Sequence, residues 1–281
     1  MTTPRFVDAA GLRFACLEEG AGPLVLLLHG FPDTAHTWDE VRPALAQAGY
    51  RAVSPFLRGY YPTAIPDDGR YDSDALGGDV LALIRALGAE RAVVVGHDWG
   101  ASAAYAAANL DPSRVSFLVT VAIPHPASLR PSPRLVWGAR HFLRFRQAHA
   151  EAFARANDFA YIDELVKRWS PMWQVPPGET KPIKEGLRQP GYLEAALGYY
   201  RAVGLRPDPS LRHRIRVPSA VFAGTDDKLA LVRDYERARP WYLAGYEIVP
   251  MPGGHFMHRE HPARFIAELL RLLQAQNQTP A

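Results

Sequence analysis

Hydrophobic and polar positions along the chain follow two patterns, one typical of strands and one typical of helices. Short apolar runs such as Leu24–Leu28 end in a polar residue or glycine, and longer stretches with helical spacing lie between them. In the first 124 residues the pattern predicts strands at 5–8, 12–17, 23–30, 51–54, 91–96 and 115–121, and helices at 38–49, 74–87 and after Gly100. Strands that alternate with helices imply crossover connections. We therefore predict an α/β fold with a mostly parallel, doubly wound sheet.

The pattern changes between residues 125 and 215. This stretch has aromatic-rich helical segments at 141–157, 159–168 and 192–203 and no apolar run typical of a strand. Strands resume at 216–224 and 246–249, and an amphipathic helix is predicted at 262–273. We expect residues 1–124 and 216–281 to form one α/β core, with residues 125–215 inserted as a helical cap.

Composition and charge are those of a folded globular protein. Of the 281 residues, 48 % are hydrophobic and 22 % are charged, and the net charge of +3 gives no argument for nucleic-acid binding. Residues 125–216 carry 16 Lys and Arg against 8 Asp and Glu. We interpret this excess as a solvated surface, with a preference for anionic substrates as the alternative. Cys16 is the only cysteine, so no internal disulfide is possible.

The sequence also sets expectations about location and cofactors. The N-terminus lacks the apolar core of a secretory signal, and no apolar run approaches the roughly 20 residues of a membrane-spanning helix. We therefore expect a cytoplasmic protein with no membrane partner. No phosphate loop, dinucleotide fingerprint or metal-ligand spacing occurs in the sequence, so we expect no cofactor and no metal. Monomer and homodimer both stay open.

The most informative motif joins a predicted strand to a helix rich in small residues. It reads Gly96-His-Asp-Trp-Gly100, with a glycine two residues before and two residues after the aspartate. This is the pattern of a nucleophile elbow, the sharp turn that exposes the nucleophile of an α/β-hydrolase at the end of a strand. Gly96 and Gly100 are needed because side chains there would collide with neighbouring backbone. The motif predicts Asp98 as the nucleophile.

Two downstream motifs complete the order nucleophile, acid, histidine that this fold uses. Asp227 follows a predicted strand three residues after a glycine, and His255 follows the last predicted strand. Asp226 is the competing candidate for the acid, and the spacing favours Asp227. We expect His258 and His261, which follow shortly after, to lie at the surface.

Backbone N–H groups of Phe31 and Trp99 are predicted to form an oxyanion hole. Phe31 follows the strand-ending pair His29 and Gly30, where this fold takes one donor, and Trp99 directly follows the nucleophile. A carboxylate that attacks an acyl carbon gives a mixed anhydride, whereas attack on a saturated carbon gives a stable alkyl ester. Asp98 therefore indicates a substrate with a strained ring or a good leaving group on saturated carbon.

Over nearly its full length the chain resembles the epoxide hydrolase and haloalkane dehalogenase branch of the α/β-hydrolases, and the epoxide hydrolases in particular. The resemblance rests on His29-Gly-Phe-Pro32, Gly96-His-Asp-Trp-Gly100 and Gly254-His-Phe-Met-His-Arg-Glu260. It implies that Asp98 opens an epoxide of a small apolar substrate and becomes esterified. Water activated by His255 and Asp227 would then release a vicinal diol.

The resemblance also implies tyrosines in the cap that protonate the epoxide oxygen. The segment Leu197-Gly-Tyr-Tyr-Arg-Ala202 is similar to the one that carries such a tyrosine, which assigns this role to Tyr200 and makes Tyr199 its packing neighbour. The partner tyrosine is missing, because Phe142 stands in the matching region, and Tyr161 is the candidate substitute. The predicted lining of the substrate cavity is Phe31, Trp99, Phe142, Tyr161 and Tyr199.

Three other functions are alternatives. A haloalkane dehalogenase would use the same triad and hold the halide with Trp99 and a second indole from Trp137, Trp169 or Trp173, although fluoroacetate-specific relatives carry arginine where this chain has Trp99. A non-catalytic binder would usually have lost a member of the triad, and all three are present. An esterase using Ser102 is disfavoured because that residue lies one helical turn beyond the nucleophile.

Overall fold

The described part of the chain contains an eight-stranded sheet. The computed structural model describes residues 3–130 and 132–278. The strands are β1 Arg5–Ala9, β2 Leu12–Glu19, β3 Leu24–Leu28, β4 Arg51–Pro55, β5 Ala92–His97, β6 Val115–Val121, β7 Ser219–Gly224 and β8 Tyr246–Met251. Their order is β1-β2-β4-β3-β5-β6-β7-β8, with antiparallel pairing at β1–β2 and β2–β4 and parallel pairing elsewhere. The predicted α/β fold with a mostly parallel sheet is confirmed.

Helices cover both faces of this sheet. In the described residues the α-helices are α1 Val41–Gln47, α2 Ser73–Ala86, α3 Trp99–Leu110, α4 Pro133–Gly138, α5 Arg140–Phe145, α6 Ala150–Trp169, α7 Lys181–Leu187, α8 Tyr192–Ala202, α9 Val232–Ala238, α10 Met257–Glu260 and α11 Pro262–Gln278. In β3, Leu26 points into a hydrophobic core shared with α2 and α3, whereas Leu27 points into a second core shared with α1 and α11. Burial on both faces explains why this strand is a continuous apolar run. No helix within residues 3–130 and 132–278 has both the length and the apolar character to cross a membrane.

The residues between β6 and β7, 122–218, contain helices α4 to α8 and, where they are described, no β-strand; we call them the helical insert. The predicted break near residue 158 is present, because Asn157, Asp158 and Phe159 adopt positive φ angles and interrupt α6. A second break, between α5 and α6, was not predicted. It separates Phe145, which is buried, from an exposed stretch at 146–149.

Two predicted elements differ in extent from the observed ones. The helix predicted at 38–49 consists of a 3₁₀ turn at Ala35–Trp38 followed by α1. The Thr34 side chain accepts a hydrogen bond from the His36 N–H and begins the turn there. The strand predicted at 216–224 begins at Ser219, after a proline that has no N–H to donate to a neighbouring strand.

Candidate active site

The turn between β5 and α3 holds Asp98 in a strained backbone conformation. Asp98 has φ 52° and ψ −117°, and positive φ is uncommon for a residue with a side chain. Close approach explains the glycines around it: a Cβ on Gly96 would lie 2.2 Å from the Gly100 carbonyl oxygen, and one on Gly100 would lie 2.4 Å from the Leu28 carbonyl oxygen. A Cβ on Gly30 would lie 2.3 Å from the Asp98 Cβ. The structure thus agrees with the steric role predicted for the elbow glycines and adds Gly30 to them.

The carboxylate of Asp98 lies between a backbone donor and a histidine. Its Oδ1 accepts a hydrogen bond from the Phe31 N–H at 2.9 Å, and its Oδ2 lies 3.4 Å from His255 Nε2. The side chain keeps 15 % exposure, so it faces space that protein atoms do not fill. Burial acts to raise the pKa of Asp98, but the contacts with His255 and Phe31 outweigh it and hold the pKa below its usual value. Asp98 is therefore ionised at neutral pH, as a nucleophile must be.

His255 connects the nucleophile to Asp227. Its Nδ1 lies 3.5 Å from Asp227 Oδ2, while Asp227 Oδ1 accepts hydrogen bonds from the backbone N–H groups of Leu229 at 2.6 Å and Ala230 at 3.3 Å. The two histidine contacts are longer than ordinary hydrogen bonds, as is common in catalytic sites without substrate. Burial acts to lower the pKa of His255, but the carboxylates of Asp227 and Asp98 overcome it and raise the pKa to about 9. The two carboxylates thus favour the protonated form of His255 over the neutral ring.

The neighbouring aspartates Asp226 and Asp227 have different places. Asp226 Oδ2 accepts a hydrogen bond from the Gly253 N–H at 3.2 Å, and the Asp226 N–H donates to the Gly253 carbonyl oxygen at 3.0 Å. Asp226 thus joins the loop after β7 to the loop that carries His255. The structure brings Asp227, the residue favoured by the spacing, to the imidazole.

Aromatic rings from the core and the helical insert meet beside the elbow. The Tyr200 ring lies 5.4 Å from Phe31, 5.2 Å from Trp99 and 4.9 Å from Phe142, measured between ring centroids. Burial, with the nearby charge of Asp98, raises the pKa of Tyr200 well above its usual value. The Tyr200 hydroxyl therefore keeps its proton at neutral pH. Four residues predicted from separate segments are brought together here.

Tyr199 lies next to this group, but its hydroxyl is engaged in the core. Its ring is 5.7 Å from Trp99, and its hydroxyl donates to the Arg58 carbonyl oxygen at 2.8 Å. Arg58 in turn forms a buried ion pair with Asp79 at 2.6 Å. The hydrogen bond ties α8 to the core, which is a structural role.

Tyr161 is not brought to Asp98. Its ring packs against Phe145, at 5.8 Å, and Phe153, at 4.7 Å, and its hydroxyl accepts a hydrogen bond from Arg168 at 3.4 Å. Phe145 also packs on Tyr200, at 4.9 Å between ring centroids. The expectation that Tyr161 lines the substrate cavity or replaces the missing tyrosine receives no support from its position. Phe145, the last residue of α5, lies beside Tyr200 instead.

Two residues beside Tyr200 were not predicted, and both lie on α5. Phe145 is buried, and His141 lies with its ring 5.4 Å from Tyr200 and its Nδ1 3.1 Å from the Gly138 carbonyl oxygen. Burial lowers the pKa of His141 to about 4, so this histidine is neutral. His141 and Phe145 are four residues apart and Phe142 and Phe145 three apart, so helical periodicity around Phe142 was the signal that could have found them.

The candidate indole donors lie in different environments. Trp137 is 69 % exposed and Trp173 packs on Phe256. Trp169 is buried with its ring 5.2 Å from His255. The Nε1 atoms of Trp99 and Trp169 are both buried; Trp169 Nε1 has no hydrogen-bond partner among the described residues, whereas the Trp99 indole contacts the Tyr200 hydroxyl and acts to lower its pKa. Of the three alternatives for a second indole, Trp169 is the one placed beside the triad.

The expectation for His258 is wrong, because this residue is buried. Its Nε2 lies 2.6 Å from Thr37 Oγ1, and its ring lies 4.6 Å from His97. The short helix α10 turns His258 inward under Trp38, at 4.8 Å between ring centroids, and leaves the later His261 exposed as predicted. The sequence pattern did not separate the two because α10 is only one turn long.

The described residues contain no candidate metal site, and the one cysteine of the chain is buried. Within residues 3–130 and 132–278, no group of three or more His, Cys, Asp or Glu is arranged to hold a metal ion. Cys16 is buried, and burial raises the pKa of its thiol to about 12. Cys16 therefore acts as a packed residue.

Comparison with known proteins agrees with this architecture. The chain matches the α/β hydrolase fold family over residues 23–262. It is 29 % identical to epoxide hydrolase A of Mycobacterium tuberculosis, over 96 % of this chain and 97 % of that protein. It is 30 % identical to a fluoroacetate dehalogenase of a Burkholderia species, over 95 % of this chain and 93 % of that protein. A solved structure of a Bacillus megaterium epoxide hydrolase with an inhibitor is similar at a TM-score of 0.86, over 96 % of this chain and 100 % of that one; at 21 % identity this likeness concerns the fold alone.

Proposed function

The chain belongs to the α/β hydrolase fold family, and on that premise we propose that it is an epoxide hydrolase with Asp98 as nucleophile. One observation carries the proposal: a carboxylate held by the Phe31 N–H and His255 stands where this fold places its nucleophile. Carboxylate attack on the saturated carbon of an epoxide gives a stable ester. Similarity to epoxide hydrolase A of M. tuberculosis over nearly both full lengths supports the same substrate class.

The first half-reaction joins Asp98 to the substrate. An Asp98 oxygen forms a bond to an epoxide carbon, the carbon–oxygen bond of the ring breaks, and its electron pair passes to the epoxide oxygen. Tyr200 donates its hydroxyl proton to that oxygen. Its position beside Phe31 and Trp99 and its raised pKa support this assignment, because the phenol holds its proton until negative charge develops beside it.

Ester formation also prepares His255 for the second half-reaction. The pKa of His255 is raised by two carboxylates, and the ester removes the charge of one of them, Asp98. The imidazolium then gives up its proton, which restores the Tyr200 phenol from its phenolate. Neutral His255, still oriented by Asp227, is left as the base that the next step needs.

The second half-reaction hydrolyses the ester. His255 takes a proton from water, and the hydroxide attacks the carbonyl carbon of the Asp98 ester. The N–H groups of Phe31 and Trp99 stabilise the oxyanion, a contribution of about 3 to 4 kcal/mol per donor in comparable sites. The carbon–oxygen bond to the product breaks, and the new carboxyl group passes its proton to the diol. Asp98 is a carboxylate again and His255 an imidazolium, as in the resting site.

The proposed substrate is a small apolar molecule with one epoxide. Residues 125–215 would act as the cap, and the cavity between cap and core would be lined by Phe31, Trp99, Phe142 and the ring of Tyr199. The reaction consumes only substrate and water, so it requires no cofactor. We propose that it takes place in the cytoplasm, with the protein as monomer or homodimer.

Dehalogenation is the second candidate, because two buried indole N–H groups lie beside the triad. Trp169 Nε1 is without a hydrogen-bond partner among the described residues, and the Trp99 indole contacts the Tyr200 hydroxyl. A halide that leaves the substrate carbon as Asp98 attacks it would be stabilised by such N–H donors. Similarity to the Burkholderia fluoroacetate dehalogenase favours the same reading. The triad would act as before, with halide in place of the epoxide oxygen and no need for the Tyr200 proton.

A single-turnover experiment tests the proposal. Excess enzyme reacts with styrene oxide in ¹⁸O-water, and mass spectrometry follows the diol and the peptide that contains Asp98. We expect unlabelled diol in the first turnover and label in Asp98, because the first oxygen delivered comes from the carboxylate. His255→Gln is expected to stop at the ester and make it visible.

Other outcomes would redirect the assignment. Labelled diol with unlabelled Asp98 means that water attacks the epoxide directly, and the nucleophile assignment fails. No diol, together with halide release from a haloalkane or haloacetate, favours the dehalogenase. Turnover of an aryl ester that survives in Asp98→Ala would instead favour an esterase.

A further inference from the structure

The loop that carries His255 is held by the helical insert as well as by the core. Three consecutive backbone N–H groups of this loop have three different acceptors. The bonds are Gly254 N–H to Glu260 Oε1 at 2.7 Å, His255 N–H to the Trp169 carbonyl oxygen at 3.0 Å and Phe256 N–H to Ser170 Oγ at 3.1 Å. Two of the three acceptors belong to the end of α6, where the insert reaches the core.

Ser170 closes this arrangement into a bridge. Its side chain is fully buried, and its hydroxyl donates to Glu260 Oε1 at 2.6 Å while it accepts from Phe256. The same Glu260 oxygen accepts from Gly254, so one hydroxyl and one carboxylate bind the residues on both sides of His255. We call Ser170 and Glu260 the loop bridge.

The contact between insert and loop is too close to be adjusted by side chains alone. A Cβ on Gly254 would lie 2.5 Å from the Trp169 carbonyl oxygen and 2.7 Å from Ser170 Cα. Backbone therefore packs on backbone here. A shift of the end of α6 relative to the core must displace the His255 loop or break its hydrogen bonds.

We propose that Ser170 and Glu260 are positioning residues through which the helical insert sets the place of His255 relative to Asp98 and Asp227. This inference rests on the proposed function, because it concerns the base of the second half-reaction. Neither residue reaches the reacting atoms. They act on the backbone whose side chain must lie between the two carboxylates.

The two half-reactions make the consequence specific. Ester formation depends on Asp98 and Tyr200, and ester hydrolysis depends on the position of His255. The imidazole contacts at 3.4 and 3.5 Å are already long, so a further displacement separates His255 from the water it activates. Loss of the loop bridge should therefore slow ester hydrolysis and leave ester formation nearly unchanged.

The experiment measures both half-reactions in Ser170→Ala, Glu260→Ala and Glu260→Gln with excess enzyme and styrene oxide. Mass spectrometry follows the ester on the Asp98 peptide and the diol over time. We expect hydrolysis to fall about 10- to 100-fold in the two alanine variants, as for a displaced catalytic group, with ester formation within about threefold. In steady state kcat and KM should fall together, because the ester accumulates. Glutamine at 260 keeps an oxygen acceptor and should restore most of the hydrolysis rate.

Ser128→Ala is the matched control. Ser128 also lies in the insert, is buried, and donates its hydroxyl to the His125 carbonyl oxygen at 2.7 Å, away from the His255 loop. Like Ser170→Ala, this variant loses one buried serine hydroxyl. We expect Ser128→Ala to keep the wild-type rates of ester formation and of ester hydrolysis. The loss of a buried serine hydroxyl is thereby distinguished from a displacement of His255.

Four results would overturn the inference. Wild-type hydrolysis rates in Ser170→Ala and Glu260→Ala would show that the bridge does not position His255. An equal fall of both half-reactions in these variants, or the same fall of hydrolysis in Ser128→Ala, would show that the effect is not specific to His255. If wild type forms diol and His255→Gln traps the ester, the proposed function stands whatever the bridge variants do; if neither ester nor diol forms in wild type, the proposed function and the inference fail together.

Discussion

The α/β core and the helical insert meet beside Asp98, and they hold their side chains by different means. Asp98, Asp227 and His255 follow the carboxyl ends of β5, β7 and β8, in the parallel part of one sheet. The insert presents Tyr200 from α8, and its ring is held by packing against Phe145 and other rings. Hydrogen-bonded strands therefore position the core groups, whereas packing between aromatic rings positions the insert group.

The two regions also differ in charge. His255 in the core and His141 in the insert are both buried, yet the pKa of His255 is raised to about 9 and that of His141 is lowered to about 4. The difference comes from the two carboxylates that flank His255, because burial acts to lower both pKa values. The core thus supplies the charges of the proposed reaction, and the insert supplies a neutral phenol. Variants in each region should therefore fail in different steps.

The largest effect is expected from Asp98→Ala in the core. Without the carboxylate no ester can form, so turnover of styrene oxide should fall at least about 10⁴-fold. Asp67→Ala, at an exposed aspartate, is the matched control and should leave the rate unchanged. Initial rates of diol formation with both purified variants provide the measurement. Residual turnover above one hundredth of wild type in Asp98→Ala would mean that another group is the nucleophile.

The next effect separates the two neighbouring aspartates of the core. Asp227→Asn removes the charge that orients His255 and should slow ester hydrolysis about 10²- to 10³-fold, with the ester accumulating. Asp226→Asn changes a residue that binds Gly253 and should act mainly on thermal stability. Rapid-quench measurement of the ester, with a melting curve for each variant, distinguishes them. The reverse ranking of hydrolysis rates would assign the acid role to Asp226.

A smaller effect is expected from the neighbouring tyrosines of the insert. Tyr200→Phe removes the proposed acid and should slow ester formation about 10²-fold, with hydrolysis little changed. Tyr199→Phe keeps the ring but loses the hydrogen bond to the Arg58 carbonyl oxygen, which should cost about 1 kcal/mol in the free energy of unfolding and change the rate far less. Equal ester formation in Tyr200→Phe and wild type would remove Tyr200 from the mechanism. It would also favour a halide, since that leaving group needs no proton.

The difference between core and insert also decides which site residues the sequence can predict. Asp98 and its glycines are recognisable because the steric demands of the elbow act within five residues of chain. Asp227 and His255 are recognisable because each follows a strand at a fixed place in the fold. Tyr200 needed a resemblance to a known family, since a tyrosine on a helix has no local feature that separates catalysis from packing.

Contacts between segments that are far apart in the chain could not be predicted from the sequence. The role of Tyr161 stays a prediction without support from its position, because Phe145 packs against Tyr200 and the break after α5 has no clear local signal. Ser170 bonds to residues about 90 positions away, and a single serine near the end of a helix carries no mark of this. The positions of side chains that depend on tertiary packing are therefore known from the structure and not from the sequence.

The smallest effect concerns pH and two of the buried histidines, His255 in the core and His141 in the insert. The pKa of His255 is about 9 in the folded protein, above its ordinary value of 6.5, so its contribution to stability is complete below pH 6.5 and is lost as the pH rises through 9. The pKa of His141 is lowered, so its contribution is present above pH 6.5 and is lost as the pH falls toward 4. His255 and His141 thus titrate on opposite sides of pH 6.5.

Urea unfolding of wild type, His255→Gln and His141→Gln at pH 5, 6.5 and 9.5 tests this division. We expect His255→Gln to lack the wild-type decrease in unfolding free energy between pH 6.5 and 9.5, and His141→Gln to keep it. Between pH 6.5 and 5 the decrease should be smaller in His141→Gln than in wild type. An identical loss above pH 6.5 in wild type and His255→Gln would show that His255 is not held as an imidazolium. In that case His255 is already neutral before the substrate reacts, and the proposed loss of its proton after ester formation drops out of the mechanism.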